Sequence, residues 1–230
     1  MKTMNRKFGV VTAFVFALAA AANAQLTKEQ QSALTPDKVL TDLMDGNARY
    51  VGGKIGDPEI KKRITNSADG QYPKAVVLSC LDSRVPVELV FDQRIGDIFV
   101  GRVAGNIEDE DQLGSMEFAT KLSGAKLVFV LGHSACGAVK GACDRAELGN
   151  LTALLAKIRP AVDAVQGFKP EERTSANKEF VEKVIEQNVL QTMADIRKNS
   201  PVLAELETSG EIKIVGGIYD LHTGKVRLLK

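Results

Sequence analysis

Four short runs of the chain are apolar at nearly every position: AVVLS (75–79), DIFVGRV (97–103), KLVFVLG (126–132) and EIKIVGGIY (211–219). A strand with one wet face alternates apolar and polar residues. Unbroken runs therefore predict strands buried on both faces, as in a parallel sheet. Between them the period changes. Val181, Val184, Ile185, Val189, Met193 and Ile196 recur three or four apart within 175–199, which predicts an amphipathic helix packing its stripe into the core. GSMEFATKLSG predicts a helix ended by Gly124, and residues 148–165 predict one bent or broken near Pro160. Thr35-Pro36-Asp37 marks a helix start, with Thr as cap and Pro in the first turn, and the helix runs toward Gly52-Gly53. Residues 54–73 read as loop with one short helix, and IYDLHTGKVRLLK as a C-terminal hairpin turning at Thr223-Gly224. The strand–helix–strand order predicts an α/β fold, a mainly parallel central β-sheet flanked by helices with a C-terminal hairpin strand.

The first two dozen residues have another character. MKTMNRK is basic, FGVVTAFVFALAAAA is apolar, and Ala22-Asn23-Ala24 is a small-x-small site. That layout predicts a signal peptide over 1–24, removed to leave one domain over 25–230. Its apolar run is short of the roughly 20 residues that span a bilayer. No later segment is long and apolar enough, so the expectation is a soluble mature chain without a membrane span. Periplasmic export is expected, although an extracellular fate carries the same signal. Without Lys2, Arg6 and Lys7 the formal charge falls from +1 to −2, which argues against a nucleic-acid partner.

Candidate chemistry centres on scarce residues. The chain has two histidines and three cysteines, and GHSACG (132–137) holds His133 and Cys136 within four positions, just after an apolar run. SCLDSR (79–84) sets Cys80 at the end of another. In a doubly wound sheet ordered 2-1-3 those strand ends are neighbours and flank the ligand-binding crevice. Cys80, His133 and Cys136 would then make a Cys₂His set with a fourth place open, the pattern of catalytic zinc. The competing expectation in an oxidising compartment is a Cys80–Cys136 disulfide. Gly137 leaves room for a group close to the backbone. Asp82 beside Arg84 either orients a reacting water, fills the fourth place, or forms an ordinary turn ion pair. Cys143 reads as a small buried residue, and His222, in the predicted hairpin turn, as exposed. The spacings fit neither a phosphate-loop cysteine phosphatase, a CxxC redox site, nor a Walker loop.

CLDSRV (80–85), RVAGN (102–106) and GHSACGAVKGA (132–142), in this order and spacing, resemble the signature blocks of the β-class carbonic anhydrases. GNARYV (46–51), LGNLTALL (148–155) and IYDLHTGKV (218–226) are similar to flanking patterns of that family. The resemblance implies zinc-dependent, reversible hydration of CO2 to bicarbonate, with one Zn2+ per subunit on Cys80, His133 and Cys136. It implies a catalytic Asp82–Arg84 pair, with Asp82 also a zinc ligand in some members. It places Gln71, Phe99 and Phe118 in the substrate pocket; a Tyr is often found where Phe118 stands. Arg102 and Tyr219 match members of a bicarbonate pocket built around a Trp in another subgroup; this chain has Val77 there. An N-terminal helical arm embracing a second subunit is implied, as are a homodimer or dimer of dimers and an active site at the dimer interface. The alternatives are a carbonyl sulfide or carbon disulfide hydrolase on the same scaffold, or a non-catalytic zinc-binding protein.

Overall fold

Strands form at the four apolar runs: β1 (Ala75–Ser79), β2 (Ile98–Arg102), β3 (Leu127–His133) and β4 (Lys213–Tyr219), with β5 (Val226–Leu228) near the end of the chain. The computed structural model describes residues 25–229, so the expected signal peptide lies outside the described residues. The sheet order is β2-β1-β3-β4-β5. β1 to β4 are parallel, and β5 pairs antiparallel with β4 as the predicted hairpin. The chain leaves β1 to one side and returns on the other, so the switch point lies between the carboxyl ends of β1 and β3.

The unbroken apolar runs follow from burial on both faces. Val76, Leu78, Val128 and Val130 join one core cluster. Their alternates Ala75, Val77, Leu127, Phe129 and Leu131 join the other. Each fully buried Val, Leu or Phe contributes about 1.5–3 kcal/mol, which makes these strands the strongest part of the fold. The first cluster is covered by α6 (Gly137–Cys143), α7 (Gly149–Ala164), α8 (Lys178–Asn199) and α9 (Pro201–Thr208). The second is covered by α2 (Pro36–Val51) and α4 (Val87–Val90) through Val39, Leu43, Val87 and Phe91. Thr35 caps α2 by accepting from the Lys38 N–H, with Pro36 at the first helical position. A short α1 (Lys28–Ser32) precedes α2 in the helical arm, and its Gln31 side chain donates to the Pro73 and Ser123 carbonyls. α3 (Ile60–Ser67) is the short helix of the polar stretch.

Two expectations needed correction. Helix α5 (Glu110–Glu117) begins before Gly114, because Asp109 caps it and Glu110 and Asp111 suit the positive end of the helix dipole. A widened turn, Phe118–Leu122, then leads to Gly124, whose φ of +81° ends the segment. α7 runs unbroken through Pro160, since Leu155, Ile158, Ala161 and Val162 are buried on both sides of it. Among the described residues, no helix is long and apolar enough to cross a membrane.

Candidate metal centre

β1 and β3 lie side by side with Ser79 opposite Leu131, so Cys80 and His133 emerge together at the carboxyl edge. Beyond His133 the chain turns sharply through Ala135, held at a left-handed φ of 56°, and Cys136 becomes the residue that caps α6. The three side chains meet under cover, Cys80 5% exposed and His133 and Cys136 1%. Their ligand atoms all lie within 4.8 Å of one another. The two sulfurs are 4.0 Å apart and both thiols are free, so the disulfide alternative is not realised.

The donor set fits a soft, borderline divalent ion. His133 Nδ1 lies 3.0 Å from the Ser134 carbonyl oxygen. A carbonyl only accepts, so Nδ1 carries the proton and Nε2 is left with its lone pair. Nε2 is buried with no hydrogen-bond partner. A buried orphan of that kind is costly unless something occupies it. The thiols divide one proton's worth of stabilisation: a hydrogen bond from Cys136 pulls the Cys80 thiol down to about 4, while donating that bond and being buried push Cys136 up. Burial alone would lower the His133 pKa, but the Cys80 sulfur and the Ser134 carbonyl lift it overall. A coordinated metal would deprotonate both thiols outright.

Asp82 stands at the rim. Arg84 grips it with a fork, Nε to Oδ1 at 2.9 Å and NH2 to Oδ2 at 2.7 Å, and adds its backbone N–H to Oδ1 at 2.9 Å. The guanidinium holds the Asp82 carboxyl well below the usual carboxylate range. Asp82 Oδ2 is 3.8 Å from His133 Nε2, so the carboxylate borders the three-atom set while paired with Arg84. With Arg84 exposed to solvent, the pair is too weakly stabilising for stability to be its main consequence. Arg102 supports the loop from below, donating to the carbonyls of Cys80 (3.1 Å) and Asp82 (2.5 Å).

The other anticipated residues separate into groups. Gly137 is exposed, and a Cβ there would meet nothing within 4 Å, so the approach beside Cys136 is open. Phe99 and Phe118 pack edge to face with centroids 6.2 Å apart. They line a cleft of about 700 Å³ at the β2 edge, which Arg102 also lines. Phe99 pairs with Val76, four residues before Cys80, hence roughly 13 Å back along the strand. Gln71 is exposed and precedes β1, at the opposite end of that strand from Cys80. Within one chain these three residues do not meet the metal set. Cys143 is buried in the core and His222 is exposed. Sequence reasoning passed over Glu182 and Asn188, which bond to backbone groups beside the ligands.

A doubly wound sheet carrying a buried Cys₂His set with one open side defines a zinc enzyme of the catalytic type. A sequence model of the carbonic anhydrase family matches residues 75–226. A carbonic anhydrase of Mycolicibacterium smegmatis is 37% identical over 193 residues, covering 81% of this chain and 89% of that protein. Carbonic anhydrase 2 of Mycobacterium tuberculosis is 35% identical over 187 residues, with the same coverage of 81% and 89%. Among solved structures, the β-carbonic anhydrase CafA of Aspergillus fumigatus matches with a TM-score of 0.65 over 84% of this chain and 90% of that one, at 24% identity. Tetrameric β-carbonic anhydrases of Sordaria macrospora match at 0.64 over 83% and 96%, also at 24% identity. These two are likenesses of fold. The chain belongs to the β-class carbonic anhydrases: it is a zinc enzyme that hydrates CO2 reversibly to bicarbonate and a proton.

Proposed function

We propose that Cys80, His133 and Cys136 hold the zinc ion and that Asp82, steered by Arg84, orients the attacking water. The observation that carries this is the orphaned His133 Nε2, buried and converging with two free thiols. Zinc bound there supplies the Lewis acidity that makes water nucleophilic near neutral pH, as in carbonic anhydrases generally. The chain's own residues do the rest. Asp82 stays ionised beside Arg84, and its oxygens, though already paired, keep lone pairs free to accept a hydrogen bond from a proton of the water. Fixing that proton turns the water's lone pair toward the carbon of CO2. The hold of Arg84 also decides whether Asp82 stays at the rim or closes the fourth ligand place.

Phe99 and Phe118 form the apolar lining for CO2, Gln71 a polar contact and Gly137 the open approach. Because the first three stand away from the metal set of their own chain, a second subunit brings them to it, in a homodimer or a dimer of dimers. Phe118 and Leu122, 50% and 77% exposed beside the open edge of β2, support a self-contact there. The basic, apolar and small-residue pattern of residues 1–24 supports export to the periplasm. The relatives named above are carbonic anhydrases, which favours CO2 over carbonyl sulfide or carbon disulfide as substrate, and a catalytic over a non-catalytic zinc.

The experiment is stopped-flow CO2 hydration by residues 25–230, with zinc measured on the same samples. Activity proportional to bound zinc is the expected result. Full zinc with no hydration between neutral and alkaline pH would overturn the assignment of roles.

A further inference from the structure

Helix α8 packs against β3 and against the turn at Gly105. Its close approach depends on Gly132 of β3, where a Cβ would come within 2.6 Å of Val189 Cγ2. Two polar side chains of α8 use that proximity. Asn188, 2% exposed, donates from Nδ2 to the Gly105 carbonyl at 2.7 Å. The N–H of the same Gly105 donates to Cys80 Sγ at 3.3 Å. Gly105 has a φ of +76°, and a Cβ there would strike Ile158 Cδ1 at 2.5 Å, so a backbone group makes this contact. Glu182 Oε1 accepts the N–H of Ala135 at 2.9 Å, fixing the left-handed residue between His133 and Cys136.

We infer that α8 positions the zinc ligands, Asn188 acting through Gly105 on the Cys80 sulfur and Glu182 acting through Ala135 on the spacing of His133 and Cys136. The inference rests on these three residues being the zinc ligands. A buried amide within an apolar helix face is costly unless its hydrogen bonds are made. Here the bond made lies one residue's backbone away from a ligand atom. Outer partners of this kind typically change metal affinity 10- to 100-fold.

The test uses the zinc-loaded protein and measures Zn2+ transfer to excess chelator. Asn188→Ala speeds the loss roughly tenfold or more. In Co2+-loaded protein it also moves the thiolate-to-cobalt absorption to lower energy, because a sulfur that accepts no N–H holds its electrons less tightly. Glu182→Ala speeds zinc loss, and Glu182→Gln, whose amide oxygen still accepts from Ala135, restores slow loss. Circular dichroism of the metal-free variants establishes folding; if Asn188→Ala does not fold, the Glu182 pair decides. A folded Asn188→Ala with unchanged zinc release and an unshifted cobalt band overturns the role of Asn188. Equal zinc loss in Glu182→Gln and Glu182→Ala overturns that of Glu182. Zinc retention by Cys80→Ala, measured alongside, would instead overturn the ligand assignment beneath both.

Discussion

The two loops that carry the metal ligands are built in opposite ways. After β1, Cys80 is buried but Leu81, Ser83 and Arg84 are exposed, and a charged fork on Asp82 shapes the turn. After β3, His133 and Cys136 are sunk, and the loop is pinned to the interior by Ser134 N–H on the Tyr219 carbonyl, Leu221 N–H on Ser134 Oγ, and Ala135 N–H on Glu182. The buried loop can hold a metal without competition from water. The rim loop holds a carboxylate that borders the metal set while its Arg84 partner faces solvent. Two of the three ligands and the water-orienting carboxylate are thereby placed on different strands of one switch point.

The largest effect comes from removing a metal ligand from either loop. His133→Ala removes the only nitrogen of the set, and Cys80→Ala one of two sulfurs. Both are expected to lose zinc on gel filtration with chelator, and activity with it, as measured by metal analysis. Full zinc in either variant would falsify the ligand assignment. The Asp82–Arg84 pair at the rim should behave differently. Asp82→Asn keeps its zinc but lowers kcat by about 10²-fold, the low end of the loss on removing one positioned hydrogen-bonding group. Loss of zinc from that variant would erase the division between the loops. Arg84→Ala is expected to cost severalfold in kcat, less than Asp82→Asn, since the residue-84 backbone N–H still holds Asp82 Oδ1.

The same contrast explains what was legible beforehand. Four strands, α2 and α8 could be read because burial on two faces or on one stripe leaves a periodic trace. Cys80, His133 and Cys136 could be read because metal chemistry needs those residue types at adjacent strand ends. The cap of α5 was also readable, since Asp109 precedes Gln112 by three positions, although the predicted helix began only at Gly114. Asn188 and Glu182 were hidden because they act on backbone groups 83 and 47 residues away. The one available signal was an Asn at a helical position where the stripe calls for an apolar residue. Gln71 shows the converse. Its residue type and spacing matched a pocket residue, yet a strand has direction, and nine positions before Cys80 means the far end of β1. No periodicity in one chain tells which subunit's site such a residue serves.

The smallest effect belongs to the third thiol, which lies outside both loops and so marks where the metal machinery ends. Cys143 closes α6, 6% exposed among Ala142, Leu155 and their neighbours. Burial pushes its thiol up to about 11, so it stays neutral and packs as a small apolar group. Cys143→Ala removes one sulfur atom from a close-packed site, a loss of about 1 kcal/mol, which for a domain of this size lowers the melting midpoint by about 2–4 °C. Zinc content and kcat are expected to stay at wild-type values, checked by calorimetry and metal analysis on one preparation. A fall in zinc content larger than the change in midpoint accounts for would draw Cys143 into the metal set and extend the buried loop's role down the whole of α6.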